Sequence, residues 1–454
     1  MFAVLPVWPA WLACVAAGLY FILFKESFDP RATVFWIAIL FALPVAGLFV
    51  YMYCGCTIRS RAVGRAKASR EATAMEARSE EPDSADAALS GLLSSYGADA
   101  YTSCNSAALH WTAQEGIDAL VSAISGATRS VFIEARRLMS GAMGRGIADM
   151  ICSKAAEGVD VRILTSSLGF LRTPGLRCMS RAGARHATFR PRPVAALSLR
   201  TFDRNLRDIV VVDGERAYLG PDTFVEFRGR AASRLEARFL ADWAHAVRGP
   251  IERPCDSVQN CGDVRIQLVP SGPDCLGNAL LHGLSSVVSG AKETLLLGLP
   301  FMIPGDEMYG AIRQVALGGT DVTVLLPADC RHWYQKWNSL AAVSPLADIG
   351  VNVFFSGRSL KRCVAVADRR VCIMGSGAFN SRSTSMDYCL SAAVYSDEFA
   401  GEVADSFIRE TEEACRITAD DYRRRSFADR LRIAVSRMLM FLNRRFLLSR
   451  YLYK

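Results

Sequence analysis

The sequence predicts an α/β protein in which an N-terminal two-helix transmembrane hairpin is followed by two tandem α/β lobes. Three observations lead to this fold class: two long uncharged apolar runs at the start of the chain, alternating strand and helix patterns from about residue 99, and an internal repeat of those patterns. At 454 residues the chain is too long for one ordinary hydrophobic core, so more than one domain is expected.

The two apolar runs, residues 3–24 and 32–58, contain no charged side chain. Each run is long enough to cross a hydrocarbon layer of about 30 Å. Basic residues follow the second run at Arg59, Arg61 and Arg65. The positive-inside rule therefore places the main body in the cytoplasm, and the predicted location is the cell (inner) membrane, multi-pass.

Composition agrees with a membrane partner. The chain is 51% hydrophobic and carries a formal net charge of +8. Cationic, apolar-rich chains suit anionic partners, although charge alone does not distinguish lipid from nucleic acid. The predicted hairpin favours membrane phospholipids, and no nucleic-acid partner is expected.

Residues 99–415 alternate between strand and helix patterns, which is typical of α/β folds. The predicted strands are 130–135, 159–165, 209–213, 294–300, 321–327 and 351–355. The predicted helices are 116–128, 147–158, 276–292 and 308–319.

Two segments of the first half return in the second. DVRIL at 160–164 corresponds to DVTVL at 321–325, 161 residues later, and the Asp213 turn corresponds to the Asp368 turn, 155 residues later. This spacing indicates a duplicated α/β unit. Two such lobes are expected to pack about a common axis and to form one site between them.

Several short segments, in this order, resemble the phospholipase D superfamily and in particular the bacterial cardiolipin synthases. They are the apolar stretch at 36–55, Asp242-Trp243, SGPD at 271–274, PFMIP at 300–304 and GSGAFNSRS at 375–383. The resemblance covers nearly the whole chain. It implies two lobes that each carry the pattern HxKxxxxD.

The resemblance also implies a chemistry. One histidine of the family attacks phosphorus and the other acts as general acid and base, while the lysines hold phosphate oxygens. The aspartates are expected to orient the imidazoles. The reaction moves a phosphatidyl group between lipids and requires no metal or other cofactor.

In this chain both aspartates of the motif are present, but the other four positions are changed. The motif positions are Leu206, Asp208 and Asp213 in the first lobe, and Lys361, Cys363 and Asp368 in the second. No histidine is followed two places later by lysine anywhere in the sequence. The sequence therefore predicts that no intact catalytic site remains.

The charges at the motif positions predict an unusual site. Lys361 is expected to lie with the carboxylates of Asp208, Asp213 and Asp368, which gives a formal charge of −2. The carboxylate cluster is expected either to have a raised pKa or to pair with Lys361. Arg207 is expected to face away, because adjacent residues of a strand point to opposite sides. No metal site is predicted; a divalent cation on the three carboxylates is a minor alternative.

Four side chains are candidates for contact with a ligand. Lys361, Ser376 and Arg382 lie at or after the second motif, and His332 follows a strand end, where α/β proteins commonly bind ligands.

These observations leave three hypotheses. The preferred one is a cardiolipin synthase-like pseudoenzyme that binds phospholipid or a partner, with self-association or pairing with an active paralogue as further options. The second is an active phosphatidyltransferase with unorthodox residues. The third is an unrelated role on the same scaffold. The predicted organisation is a hairpin (1–58), a charged linker (59–98), lobe 1 (99–250), a connector (251–264), lobe 2 (265–415) and a basic amphipathic C-terminal helix (416–454).

The C-terminal segment has apolar residues at helical spacing among many arginines, including Phe427, Leu431 and Val435. Two interpretations remain open: a helix packed on lobe 2 with a solvated basic face, or a helix lying in the membrane interface.

Overall fold

A computed structural model describes most of the chain. The described residues are 7–25, 30–51, 67, 82, 86–136, 142–166, 175–189, 205–220, 223–255, 260–275, 277–303, 305–330, 333–358, 360–377, 387–418, 420–421 and 424–445.

The N-terminal apolar runs form short, interrupted helices. Helix α1 (Val7–Tyr20) continues into a π-helical turn (Phe21–Lys25), and the second run forms α2 (Pro30–Ala42) and α3 (Pro44–Val50). Pro44 separates α2 from α3, because proline lacks a backbone N–H and disfavours helical conformation in the residue before it. In the part of the chain that the structure describes, no helix has the length and hydropathy needed to span a membrane. The transmembrane hairpin therefore stays a prediction.

The described residues between 102 and 417 include a mixed sheet of fifteen strands. The strands of the first half are β1 (Thr102–His110), β2 (Ser130–Ala135), β3 (Asp160–Ser166), β4 (Arg185–Phe189), β5 (Ile209–Val212), β6 (Arg216–Leu219) and β7 (Phe224–Arg228). Those of the second half are β8 (Val264–Ser271), β9 (Thr294–Gly298), β10 (Asp321–Pro327), β11 (Asn352–Ser356), β12 (Cys363–Ala367), β13 (Val371–Gly375), β14 (Cys389–Tyr395) and β15 (Cys415–Ile417). The mixed α/β class and the predicted strands are confirmed.

The two halves of the sheet have the same strand order. Counted from one edge of the sheet towards its middle, the first half has the order β4-β3-β2-β5-β6-β7-β1. Counted from the other edge, the second half has the order β11-β10-β9-β12-β13-β14-β8, with one additional strand, β15, at the edge beside β11. In each half the first three strands are parallel and the next strand is antiparallel to its neighbour. Strands β1 and β8 pair antiparallel and join the halves. This is the symmetry that a duplicated unit predicts.

Helices pack on both faces of the sheet. They are α4 (Ala87–Ser95), α5 (Ala113–Ser125), α6 (Ala142–Ala156), α7 (Leu176–Arg181), α8 (Arg230–Val247), α9 (Ala279–Gly290), α10 (Asp306–Leu317), α11 (Trp333–Ala347), α12 (Asp397–Glu412) and α13 (Phe427–Arg445). Helices α5 and α6 bury their apolar residues against the first half, and α9, α10 and α11 do so against the second. A third core contains α8, α12 and residues from both halves, so the halves share a continuous hydrophobic interior.

The predicted charged linker is partly folded. Its helix α4 packs on α9, and Leu93 is completely buried in the core of the second half. The side-chain amide of Gln267 in β8 donates to the carbonyl oxygen of Ser90 and to Ser94 Oγ. These contacts favour a docked helix over a flexible tether for residues 87–95.

Candidate functional site

Asp213 and Asp368 occupy equivalent turns directly after β5 and β12. Both have a positive φ, 55° and 51°, a conformation that aspartate tolerates better than most residues. The Asp213 carboxylate accepts hydrogen bonds from the backbone N–H groups of residues 128, 129 and 130, at 2.7–2.9 Å. The Asp368 carboxylate accepts from those of residues 292, 293 and 294, at 2.7–3.1 Å. Each aspartate therefore anchors the loop that leads into the neighbouring strand.

This geometry corrects the role expected for the aspartates. Asp208 and Asp213 flank β5, so about 16 Å of extended chain separates them at roughly 3.3 Å per residue. Asp368 is separated from Lys361 by β12 in the same way. The predicted cluster of Lys361 with three carboxylates was wrong, and a metal ion held by those carboxylates is excluded by their separation.

A raised pKa, one of the two alternatives expected for the carboxylates, was also wrong for both turn aspartates. Partial burial alone would raise the pKa of the Asp213 carboxyl, but the backbone donors outweigh it and lower the pKa. The same balance lowers the pKa of the Asp368 carboxyl. Three N–H groups directed at one carboxylate stabilise its charged form.

The four altered motif positions lie at the start of β5 and β12. The backbone N–H of Leu206 donates to the carbonyl oxygen of Tyr388 at 2.8 Å, a contact between the two halves. Asp208 is half-buried and accepts from the backbone N–H of Arg136 at 3.3 Å. Lys361 is exposed, whereas Cys363 is buried in β12. Burial raises the pKa of the Cys363 thiol far above its usual range, which makes it a poor nucleophile.

The other predicted ligand contacts are Ser376, Arg382 and His332, of which the structure describes Ser376. Ser376 Oγ donates to the carbonyl oxygen of Leu390 at 3.2 Å and accepts from the backbone N–H of Leu390 at 3.1 Å, a structural role. Arg382 and His332 lie outside the described residues. Among the described residues, no group of three or more metal-ligating side chains is present.

A buried cluster of charges lies behind the first motif strand. Arg207 contacts Asp242 at 2.6 Å and Asp274 at 2.8 Å, and all three side chains are completely buried. Lys67 Nζ lies 2.5 Å from a carboxylate oxygen of Asp242 and of Asp274. We call these four residues the central charge cluster. Two cations and two carboxylates make its formal charge zero.

The ion pairs of the cluster determine the pKa values of its two carboxyl groups. Burial alone would raise the pKa of Asp242 and of Asp274, but Arg207 and Lys67 outweigh it and hold both pKa values below the usual range. Nearby Glu134 behaves in the opposite way, because burial and the negative charge of Asp242 raise its pKa well above the ordinary value. Burial and the neighbouring carboxylate therefore both disfavour a negative charge on Glu134.

Polar and aromatic groups enclose this centre. The Asn205 side chain donates to Glu134, and Asn205 Oδ1 accepts from the backbone N–H of Arg207 at 3.0 Å. The Tyr388 ring lies 5.4 Å from Lys67 Nζ and 5.5 Å from the Arg207 guanidinium. Both cations are thus neutralised by carboxylates and shielded from water. Such an arrangement can fix the junction of the halves, but it presents no nucleophile to a phosphodiester.

The second half contains a related but more open arrangement. Arg362, one residue after Lys361, pairs with Glu410 and stacks over the Trp111 ring at 4.1 Å. Glu410 also accepts from Ser356 Oγ at 3.1 Å. Glu410, Trp111 and other polar residues line a cavity of about 300 Å³. Here two partners of the buried arginine, Glu410 and Trp111, border space that solvent can occupy.

The sequence analysis did not predict the central charge cluster, although it named three of the four residues. Alternation along the strand placed Arg207 on the side opposite Leu206, and Asp242 and Asp274 belong to segments that carried the family resemblance. Lys67 was missed, because it lies in a segment rich in charged residues and resembles an ordinary solvated lysine. Its burial is a tertiary property.

Comparisons with known proteins agree with the geometry. Residues 284–411 match the family described as cardiolipin synthase, PLD-like domain. A cardiolipin synthase of Staphylococcus aureus is 28% identical over 363 residues, covering 74% of each chain. One of Clostridium perfringens is 24% identical over 450 residues, covering 91% of this chain and 94% of the relative. A crystal structure of phosphatidylserine synthase from Haemophilus influenzae matches with a TM-score of 0.58 at 10% identity, covering 74% of this chain and 93% of the other, which concerns the fold alone.

Proposed function

We propose that this chain, which belongs to the phospholipase D superfamily as a cardiolipin synthase-like protein, is a membrane-attached pseudoenzyme that binds phospholipid or a partner enzyme. The observation that carries the proposal is the replacement of all four His and Lys positions by Leu206, Asp208, Lys361 and Cys363. Covalent transfer through phosphohistidine requires an imidazole that these positions lack.

The central charge cluster supports this proposal. A phosphate group needs cations whose charge is not already neutralised, and Arg207 and Lys67 are each paired with two carboxylates. Lys361 is exposed just before β12, at an altered motif position, and is the candidate for contact with a lipid phosphate.

The architecture fits the same proposal. We assign residues 99–250 and 265–415 to two tandem phospholipase D-like lobes, supported by the matching strand order of the two halves. The apolar residues 3–24 and 32–58 supply the membrane attachment, with the body in the cytoplasm. A second copy or an active paralogue is a fitting partner, because a lipid-binding chain without catalytic residues needs another protein to act on the lipid.

The test is an assay of cardiolipin formation. The purified full chain is reconstituted into phosphatidylglycerol bilayers, with a cardiolipin synthase of Staphylococcus aureus as the positive control. The proposal predicts no cardiolipin above the level of protein-free bilayers. Sustained cardiolipin synthesis by the wild-type chain would overturn it.

The alternative of an active enzyme with unorthodox residues rests on Lys361 and Asp208, two ionisable groups at altered motif positions that, unlike Cys363, are not fully buried. If the wild-type chain were active, Lys361→Ala and Asp208→Asn should abolish the activity. Lys336→Ala, which removes an exposed lysine from α11, is the matched control and should not. Equal activity of all three variants would exclude both residues from the chemistry.

A further inference from the structure

Helix α13 attaches to the body by one narrow face. Ile433 and Ser436 are buried against α11, and the Asn338 side chain donates to the carbonyl oxygen of Ser436 at 2.9 Å. The Arg432 guanidinium lies 5.6 Å from the centre of the Trp337 ring. The helix is therefore held in a defined orientation on the second half.

The opposite face of α13 exposes large apolar side chains. Phe427 is 82% exposed, Leu431 55% and Val435 39%. These residues are four positions apart, so they form one stripe. At 100° per residue, Leu431 lies about 160° around the helix from the buried Ile433. The sequence left open whether this helix packs on the second lobe or lies in the membrane interface. In the structure one face of the helix packs on the body, and the outward face exposes apolar side chains that suit a membrane interface.

Arginines flank this stripe on both sides. By the same helical spacing, Arg430 lies about 100° to one side of Leu431 and Arg432 about 100° to the other. Both are exposed, as is Arg424 just before the helix. Long basic side chains beside an apolar stripe can extend to lipid phosphates while the stripe enters the acyl boundary. We propose that the outward face of α13 docks on the surface of an anionic phospholipid bilayer.

A second copy of the chain fits this stripe less well. A symmetric pairing along the stripe would bring the same flanking arginines of two copies together, and like charges in close contact repel each other. Anionic headgroups satisfy the apolar stripe and the arginines at once. This inference does not depend on the proposed loss of transferase activity.

The position of α13 also orients the body. Its contacts Trp337 and Asn338 lie in the first half of α11, which begins six residues after β10 ends at Pro327. Strand β9 lies parallel to β10. The carboxyl end of β9 pairs with the start of β12, where Gly298 lies opposite Val364. Docking of α13 would therefore bring the edge of the sheet that carries Lys361 close to the lipid headgroups.

The experiment uses the full chain in nanodiscs that contain a phospholipid with a photoactivatable diazirine in its acyl chain. One set contains phosphatidylcholine alone and the other adds phosphatidylglycerol. After illumination, labelled peptides are identified by mass spectrometry. Labelling at Phe427, Leu431 and Val435 is expected in the anionic discs and should be several-fold weaker in the neutral ones.

Two sets of variants test the contribution of the flanking arginines and that of the apolar stripe separately. Arg424→Gln with Arg430→Gln, which leaves the contact of Arg432 with Trp337 in place, should lower the docking equilibrium roughly thirtyfold, from about 1 kcal/mol for each basic residue near anionic lipid. Leu431→Ser with Val435→Ser should also reduce labelling. The matched controls on α10 are Arg313→Gln and Leu317→Ser, which alter exposed residues of another helix and should leave labelling of α13 unchanged.

Two results would overturn the inference. One is an unlabelled α13 stripe in anionic discs in which residues 7–51 are labelled. The other is a chemical cross-link between two α13 helices with no lipid adduct, which would assign the stripe to a second copy. Both readouts are obtained on the wild-type chain, so an unfolded variant cannot obscure them.

Discussion

Each half of the sheet buries one arginine that follows an altered motif position, and the two arginines have different surroundings. Arg207 is enclosed by Asp242, Asp274 and Lys67, with both of its carboxylate partners within 2.8 Å. Arg362 pairs with the carboxylate of Glu410, which borders a cavity of about 300 Å³.

The carboxylate partners themselves correspond. Asp242 lies three residues after Phe239 in α8, and Glu410 lies three residues after Phe407 in α12, with both phenylalanines fully buried. The arginine–carboxylate pair is thus a repeated feature of the two halves. What differs is the addition of Asp274 and Lys67 to the first pair. Charges from distant segments of the chain, Asp274 and Lys67, therefore enclose the first pair at the junction of the halves, whereas the described contacts of the second pair include no such addition.

The largest effect is expected for Arg207→Met. Removing this cation leaves Asp242 and Asp274 buried with Lys67 as their remaining close cation, and breaking a buried ion network typically costs about 3–5 kcal/mol. The measurement is the free energy of unfolding from urea titration of the full chain in detergent micelles. Arg369→Met is the control, because Arg369 and Asp405 form an exposed pair whose loss should cost about 0–1 kcal/mol. Equal losses for the two variants would contradict the buried network.

Lys67→Met should have the next largest effect, about 2–4 kcal/mol, since the two carboxylates keep Arg207 but lose their second cation. The same urea titration measures it. A double-mutant cycle with Arg207→Met should show strong coupling, because both cations share the same carboxylates. Additive losses would mean that Lys67 does not contact the cluster in solution.

Glu410→Gln should destabilise the chain less, by about 1–3 kcal/mol. Ser356 Oγ and Trp111 Nε1 donate to different oxygens of the Glu410 carboxylate, so the single amide oxygen of glutamine can keep one of these two contacts. The group left without its acceptor lies beside the cavity that Glu410 lines, where water can replace the lost contact. The test compares its unfolding free energy with that of Asp242→Asn, the equivalent change in the first half. A larger loss for Glu410→Gln would reverse the comparison of the closed and open arrangements.

The smallest effects concern the turn aspartates, for which the two halves should behave alike. Asp213→Asn and Asp368→Asn should each cost about 1–2 kcal/mol near neutral pH, because charged acceptors hold several N–H groups. The folded-state pKa of each carboxyl is lowered, so its contribution is present above the unfolded value of about 3.8 and is lost as pH falls through the folded pKa.

Urea titrations at several pH values check this expectation. The difference between wild type and either variant should shrink as the pH is lowered through that range. A difference that grows on acidification would show that the sign is wrong, and unequal behaviour of the two variants would weaken the case for equivalent turns.

The sequence by itself determined the local features of this protein. Periodicity located the strands and helices, and the repeated Asp turns predicted the equivalence that the hydrogen bonds of Asp213 and Asp368 display. The changed motif positions could be read directly, because a missing histidine needs no structure to be recognised. These properties depend on a few neighbouring residues, which is why a linear pattern records them.

Only the tertiary structure decided how the charges are distributed. It separated the turn aspartates from Lys361 along the full length of the strands, and it joined Lys67 to Asp274 across 207 positions of the chain. Ion pairs between distant segments follow no period of two or 3.6 residues, so no sequence pattern marks them. A lysine in a charged segment looks solvated until folding places it between two buried carboxylates.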